Sequence, residues 1–287
     1  MNYKFVLACL LGTTSVDAAW VSSKVGDMTI YSNAPASYDK VVIMLHGGGS
    51  GAPEWKAVYN NGSFGDTSKI KYIAAEAPHT GGLWYKSFKK DGCGLNDDCA
   101  YDLPSIGVSG DAVKAVIDAE KTLKSWTNSD KIFLGGYSQG GQMATYVQIA
   151  KMTEKLGGVI VFNGYPLPPL TKMPDQTTAV AQAASTYYKS DMRWMVMYGA
   201  TDGIFPGTAT KALYHSIMMK LGATDVMKIC QIEDGVGHAY TANGLSNMVR
   251  FVNGEDTYVY VEDKKDGSTV LVSSMASLLV AAMAYIM

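Results

Sequence analysis

The stretch Lys131-Ile132-Phe133-Leu134-Gly135-Gly136-Tyr137-Ser138-Gln139-Gly140-Gly141 decides how the chain is read. Its first half is a short apolar run with the length of a buried strand. Its second half opens Gly141 to Lys155, a segment that reads as a helix. Between them lies Gly-x-Ser-x-Gly, a turn so tight that side chains flanking the serine would collide. Glycine at both flanks removes that collision. The serine oxygen then stands above the end of the strand, at the N-terminus of a helix. The plainer alternative is a glycine-rich turn with an incidental serine. The strand before it and the helix after it argue against that.

Outward from this turn the pattern alternates strand and helix. Strand candidates are Met28–Tyr31, Val41–Leu45, Lys71–Ala75, Lys131–Leu134, Gly158–Phe162, Arg193–Tyr198 and Met227–Ile232. Several are continuous apolar runs, as strands covered on both faces require. Helix candidates are Ser105–Trp126, Gln139–Leu156, Ala209–Leu221 and Leu245–Val252. Strand-helix-strand repetition predicts a mostly parallel central sheet with helices on both faces, an α/β architecture. Tyr165–Pro174 reads as a proline-rich loop over the sheet edge rather than a linker. One domain is therefore expected over residues 20–253.

Composition agrees with a globular protein: 287 residues, 47% hydrophobic and 17% charged, with a net charge of −2. Acidic and basic residues are mixed, and no basic stripe argues for a nucleic-acid partner. Both ends are apolar. Residues 1–19 have one lysine, an apolar run Phe5–Gly12 and a small-residue site at Ala18 or Ala19, the pattern of a secretory signal peptide. A buried N-terminal helix is the competing reading. Residues 254–268 form a polar stalk and 269–287 an apolar tail. Without a following lysine or arginine, that tail fits a GPI-attachment signal better than a retained membrane span. These ends predict a secreted protein or one tethered to the extracellular face of the plasma membrane.

The cysteines suit an oxidising compartment. Cys93 and Cys99 frame a polar loop and are candidates for a local disulfide, with two free thiols as the alternative. No metal site is expected, because no other cysteine or histidine lies near them in sequence. Asn61-Gly62-Ser63 is a glycosylation acceptor that a lumenal route would make usable.

A serine hydroxyl is a weak nucleophile until a base takes its proton. After a serine turn of this kind, the acid and then the histidine follow in chain order. His215 falls mid-helix, whereas His238 lies in a loop just past a strand, at the sheet end where Ser138 also stands. Asp202 leaves the preceding strand at that same end. Asp191 and Asp225 precede their strands, and Asp234 would have to fold back within one loop. Ser138, Asp202 and His238 are the expected triad. A tetrahedral intermediate also needs two backbone N–H donors. Gln139 supplies one. Gly48, in Leu45-His46-Gly47-Gly48-Gly49 after an early strand, is expected to supply the other. That loop lacks the spacing and the Lys-Ser/Thr of a phosphate loop. His46 is read as structural.

With these pieces placed, the chain resembles the phospholipase/carboxylesterase family of α/β-hydrolases, which includes the acyl-protein thioesterases. The resemblance runs through Leu45–Gly49, Glu76-Ala77-Pro78, Leu134–Ala144, Leu156–Val159 with Asn163-Gly164-Tyr165, Tyr198–Asp202 with Pro206, and Gly237-His238. It implies an α/β-hydrolase fold and hydrolysis of small-molecule or lipid-like carboxylic esters or thioesters without metal or cofactor. Rivals within the fold are a lysophospholipase and a polymer esterase. Outside it, the rival is a catalytically idle surface-binding domain. Where the family carries an Arg-Pro-containing loop, this chain reads His79-Thr80-Gly81-Gly82-Leu83-Trp84-Tyr85. Trp84 and Tyr85 are expected either to line the acyl groove or to pack as amphipathic aromatics.

Overall fold

The computed structural model describes residues 20–62, 64, 68–86, 101–171, 192–220 and 229–255. The expected signal peptide, Cys93, Cys99, the apolar tail and nearly all of the polar stalk lie outside them. Eight strands are ordered β1 (Val21–Val25), β2 (Met28–Asn33), β4 (Ile70–Ala75), β3 (Lys40–Leu45), β5 (Ile132–Tyr137), β6 (Gly158–Phe162), β7 (Trp194–Gly199) and β8 (Ile229–Glu233) across one sheet. The pairs β1–β2 and β2–β4 are antiparallel, and every pairing from β4 to β8 is parallel. β1 escaped the sequence reading because Val21-Ser22-Ser23-Lys24-Val25 is an exposed edge strand with no apolar alternation.

Strand β3 shows why the sheet is covered on both sides. Successive side chains point to opposite faces. Val41, Ile43 and Leu45 join one core with Val113, Val116 and Ile117 of α2 (Leu103–Leu123) and Met143 and Ala144 of α3 (Gln139–Tyr146). Val42 and Met44 join the other with Trp55 and Val58 of α1 (Pro53–Asn60). A short turn, α4 (Pro168–Thr171), lies within the expected proline-rich loop. Helix α5 (Gly207–Lys220) sends Tyr214 and Ile217 into the first core, and α6 (Ala242–Val252) sends Leu245, Met248 and Phe251 into the second. The sequence reading missed α1, which is only eight residues long, opens on Pro53 and buries a single Trp55/Val58 pair at helical spacing.

The helix expected over Gln139–Leu156 stops sooner. After α3 the chain widens into a π-turn at Val147–Lys151 and leaves the helix at Met152. The Gln148 side chain accepts the Leu156 N–H and donates to the Glu154 carbonyl, so the chain is drawn back under its own helix end.

The turn between β5 and α3 holds Ser138 at φ 53° and ψ −120°, a conformation that L-residues rarely occupy. Close backbone contact on both sides sustains it. A Cβ on Gly136 would stand 2.4 Å from the Gly140 carbonyl carbon, and one on Gly140 would stand 2.2 Å from the Leu45 oxygen. Both obstacles are backbone and cannot swing aside. We expect Gly136→Ala and Gly140→Ala each to destabilise the domain by about 3 kcal/mol or more in denaturant unfolding. A midpoint like that of the parent protein for either variant would contradict this packing.

Candidate active site

The parallel register brings the carboxyl ends of β5, β6, β7 and β8 to one rim, and the candidate residues stand just beyond it. Ser138 follows β5, Asp202 follows β7 by three residues, and His238 lies in the loop from β8 to α6. His238 Nε2 lies 3.0 Å from Ser138 Oγ, and His238 Nδ1 lies 2.8 Å from Asp202 Oδ2. These three residues, 100 and 36 positions apart along the chain, thus form one hydrogen-bonded row. Asp234 is exposed beyond β8, and His215 is exposed on α5.

The two oxygens of Asp202 have different tasks. Oδ1 accepts the N–H groups of Ile204 (2.8 Å) and Phe205 (2.9 Å), which fixes the carboxylate in its turn. Oδ2 faces His238 and also accepts the Asn163 side-chain amide at 2.8 Å. Burial works to raise the pKa of Asp202. The hydrogen bond and charge of His238, the Phe205 N–H and the Asn163 amide outweigh it, so the carboxyl titrates below its ordinary range. An ionised Asp202 accepts a hydrogen bond and so keeps the ring proton on Nδ1, which leaves Nε2 as the acceptor facing the serine hydroxyl.

The histidine loop is clasped from several sides. Asn163 also donates to the Gly237 carbonyl (3.0 Å), Tyr137 Oη donates to the His238 carbonyl (2.7 Å), and Thr201 bonds the Val236 carbonyl. At the start of α6, Thr241 Oγ1 bonds the Glu233 carboxylate and caps the Gly244 N–H. Asn163 and Tyr137 had no assigned task at the sequence level. Asn163 sits immediately after β6, beside the serine turn in strand order, at φ 49°. An asparagine that tolerates left-handed backbone at the carboxyl end of a neighbouring strand is the signal that could have found it.

The His46–Ser50 segment is wired almost completely. The Gly47 N–H donates to Glu54 Oε2 at 3.1 Å, the Gly49 N–H to the Gly82 carbonyl at 2.9 Å, and the Ser50 N–H to the Gly47 carbonyl at 3.1 Å. Among the described residues, the Gly48 N–H has no acceptor, and neither has the Gln139 N–H. The two are neighbours: a Cβ on Gly48 would lie 2.9 Å from the Gln139 side chain. The Gln139 side chain accepts the Trp84 N–H and donates to the Tyr85 carbonyl.

Trp84 and Tyr85 are both buried. Trp84 is 0% exposed and Tyr85 2%. The Trp84 indole donates to the His46 carbonyl at 2.8 Å, and the Tyr85 hydroxyl donates to Gln142. Their polar tips are spent on the protein, so of the two alternatives the structure supports packing. Asn61 follows α1 and is exposed.

His46 is structural. Its Nδ1 lies 2.8 Å from the Gly47 carbonyl, and its Nε2 accepts the Ala77 N–H at 3.1 Å, which holds the ring neutral. Burial pushes its pKa down to about 4, against the opposing pull of the Gly47 carbonyl. Among the described residues, no cluster of histidine, cysteine or carboxylate side chains could hold a metal ion.

The family model for phospholipase/carboxylesterase matches residues 29–254, a span that takes in every residue of this site. The chain belongs to the phospholipase/carboxylesterase family. A protein described as acyl-protein thioesterase 1 homolog 1, from Dictyostelium discoideum, is 27% identical over 47% of this chain, and the match spans 61% of that relative's length. Acyl-protein thioesterase 1 from Schizosaccharomyces pombe is 26% identical over 78% of this chain and 94% of its own. The crystal structure of Zea mays acyl-protein thioesterase 2 shares the fold, with a TM-score of 0.60 at 15% identity, covering 79% of this chain and 99% of that one. The α/β-hydrolase fold and family expected from the sequence are thereby established.

The neutral His46 makes stability depend on pH. Its folded pKa lies below the ordinary 6.5, so the unfolded chain takes up the proton first as pH falls. Stability is therefore full above pH 6.5 and is lost as pH drops towards 4. We expect a loss on the order of 3 kcal/mol across that window in urea unfolding, and a shallower slope for His46→Gln. Equal slopes for the two proteins would show that His46 is not held neutral.

Proposed function

We propose that this chain is a serine hydrolase of carboxylic esters or thioesters that works through a covalent acyl-enzyme. The observation that carries the reading is the unbroken row from Ser138 Oγ through the His238 ring to Asp202, at 3.0 and 2.8 Å. Ser138 Oγ attacks the substrate carbonyl carbon while His238 Nε2 takes the hydroxyl proton. Asp202, already ionised, holds the ring in the competent tautomer and stabilises the imidazolium. The carbonyl oxygen becomes an oxyanion and is received by the Gly48 and Gln139 N–H groups, which have no protein acceptor among the described residues. The tetrahedral centre collapses, and the alcohol or thiol leaves with the proton from His238. A water, deprotonated by the same nitrogen, then attacks the acyl-enzyme and frees the acid and Ser138.

A small-molecule or lipid-like ester is the substrate class that the family supports. We also propose the secreted or surface-tethered location that the apolar ends suggest, with Asn61 as a glycan site; its exposure is compatible with this. Expression in a eukaryotic host tests the location. The protein is expected in the medium or on the cell surface, sensitive to an N-glycosidase and released by a phosphatidylinositol-specific phospholipase. A cytosolic, unglycosylated product would rule it out.

A fluorophosphonate probe followed by peptide mapping tests the mechanism. The adduct is expected on Ser138. Ser138→Ala should lose labelling and at least about a thousandfold of p-nitrophenyl ester turnover. Retained turnover in Ser138→Ala would overturn the proposal. An acyl-chain-length series in the parent protein then separates short-chain esterase from long-chain thioesterase or lysophospholipase activity.

A further inference from the structure

Glu54 is a half-buried acid beside the active site with no part in the steps above. It lies in the first turn of α1, and its Oε2 accepts the Gly47 N–H at 3.1 Å. Its Oε1 is enclosed without a hydrogen-bond partner among the described residues. Burial pushes its pKa up, and this is offset in part by the Gly47 N–H, by the hydroxyls of Ser50 and Tyr240 nearby and by His238. An acid kept in so unfavourable a place needs a structural or chemical reason.

The peptide bonds around it supply one. The His46–Gly47 peptide is held at both ends, its oxygen by the Trp84 indole and its N–H by Glu54. The next peptide is held by its oxygen alone, which faces both His46 Nδ1 and the Ser50 N–H. Its N–H is that of Gly48. The peptide after that is held by the Gly49 N–H on Gly82. The Gly48 amide is thus aimed by its neighbours. Of the groups that hold it, Glu54 is the one carboxylate, and it comes from a helix rather than from the loop itself.

We propose that Glu54 is the positioning residue of the oxyanion loop. By accepting the Gly47 N–H it couples the loop to α1 and keeps the Gly48 N–H directed at the developing oxyanion. The inference rests on the proposed serine mechanism and on Gly48 as a donor. It requires a hydrogen-bond acceptor at position 54 rather than a charge. Without the acceptor, the Gly47 N–H must seek another partner, the 46–47 peptide keeps one of its two ties, and the 47–48 peptide is held by its oxygen alone. Such a loss falls on the transition state, where the oxyanion exists, and spares substrate binding.

The experiment compares Glu54→Gln and Glu54→Ala with the parent protein, using a p-nitrophenyl ester and a trifluoromethyl ketone that forms a tetrahedral adduct with the serine. Glu54→Gln keeps an acceptor oxygen and is expected to hold kcat within about threefold. Glu54→Ala is expected to lower kcat on the order of thirtyfold, below the full loss of one donor, with KM nearly unchanged. The ketone should weaken by a similar factor. If Glu54→Ala does not fold by thermal melting, Glu54→Met, near in size and lacking an acceptor, takes its place under the same criteria. An unchanged kcat in the variant lacking the acceptor, a loss confined to KM, or an equal fall in Glu54→Gln would overturn the inference. Failure of the parent protein to form a fluorophosphonate adduct at Ser138 would instead sink the underlying mechanism, so the two failures are told apart.

Discussion

The site depends first on one crowded turn. Ser138 occupies a backbone conformation that costs about 1–3 kcal/mol in isolation. It persists because β5 and α3 meet there through bare backbone, Gly136 against Gly140 and Gly140 against Leu45. That contact fixes three things together. It lifts the serine hydroxyl above the sheet, starts α3 with the Gln139 N–H uncommitted, and brings the turn against the end of β3, where the Gly48 loop begins. A side chain at either glycine would separate these parts at once.

Around this turn the protein spends its buried polar groups on orientation. Asp202 is held by two backbone amides and by Asn163, which also grips the carbonyl preceding His238. Tyr137, the residue before the serine, bonds the His238 carbonyl itself. The acid, the base and the nucleophile's own strand are therefore cross-tied, and the 3.0 Å approach of His238 to Ser138 follows from neighbours with little freedom to move. The oxyanion loop is tied in the same manner through Glu54, Trp84 and Gly82. Groups prepared in this way need little reorganisation when charge develops.

Much of this was legible in the sequence, and the parts that were not share a cause. Gly-x-Ser-x-Gly, the glycine row after β3, and the order Ser138, Asp202, His238 are local patterns whose chemistry constrains their place at strand ends. Their convergence follows from parallel strands that all finish at one rim. Glu54 carries no such local mark, and Asn163 carries a mark of place but not of task. Their importance comes from what the fold sets beside them, a carboxylate 39 positions away for Asn163 and a backbone amide seven positions away for Glu54. Trp84 illustrates the reverse. Its amphipathic ring suits a groove equally well, and its burial and the hydrogen bond from its indole nitrogen to the His46 carbonyl become visible only in the fold. Strand β1 and helix α1 escaped notice for lack of periodicity, one being a polar edge and the other two turns long.

The central claim is spatial: one serine, one imidazole, one carboxylate and two free amides surround a single reacting carbon. A crystal structure of the phosphonylated protein tests it most directly. The account predicts phosphorus bonded to Ser138 Oγ, the phosphonyl oxygen within about 3 Å of both the Gly48 and Gln139 nitrogens, and His238 still on Asp202. A phosphonyl oxygen turned to solvent, with neither amide within hydrogen-bonding distance, would contradict it.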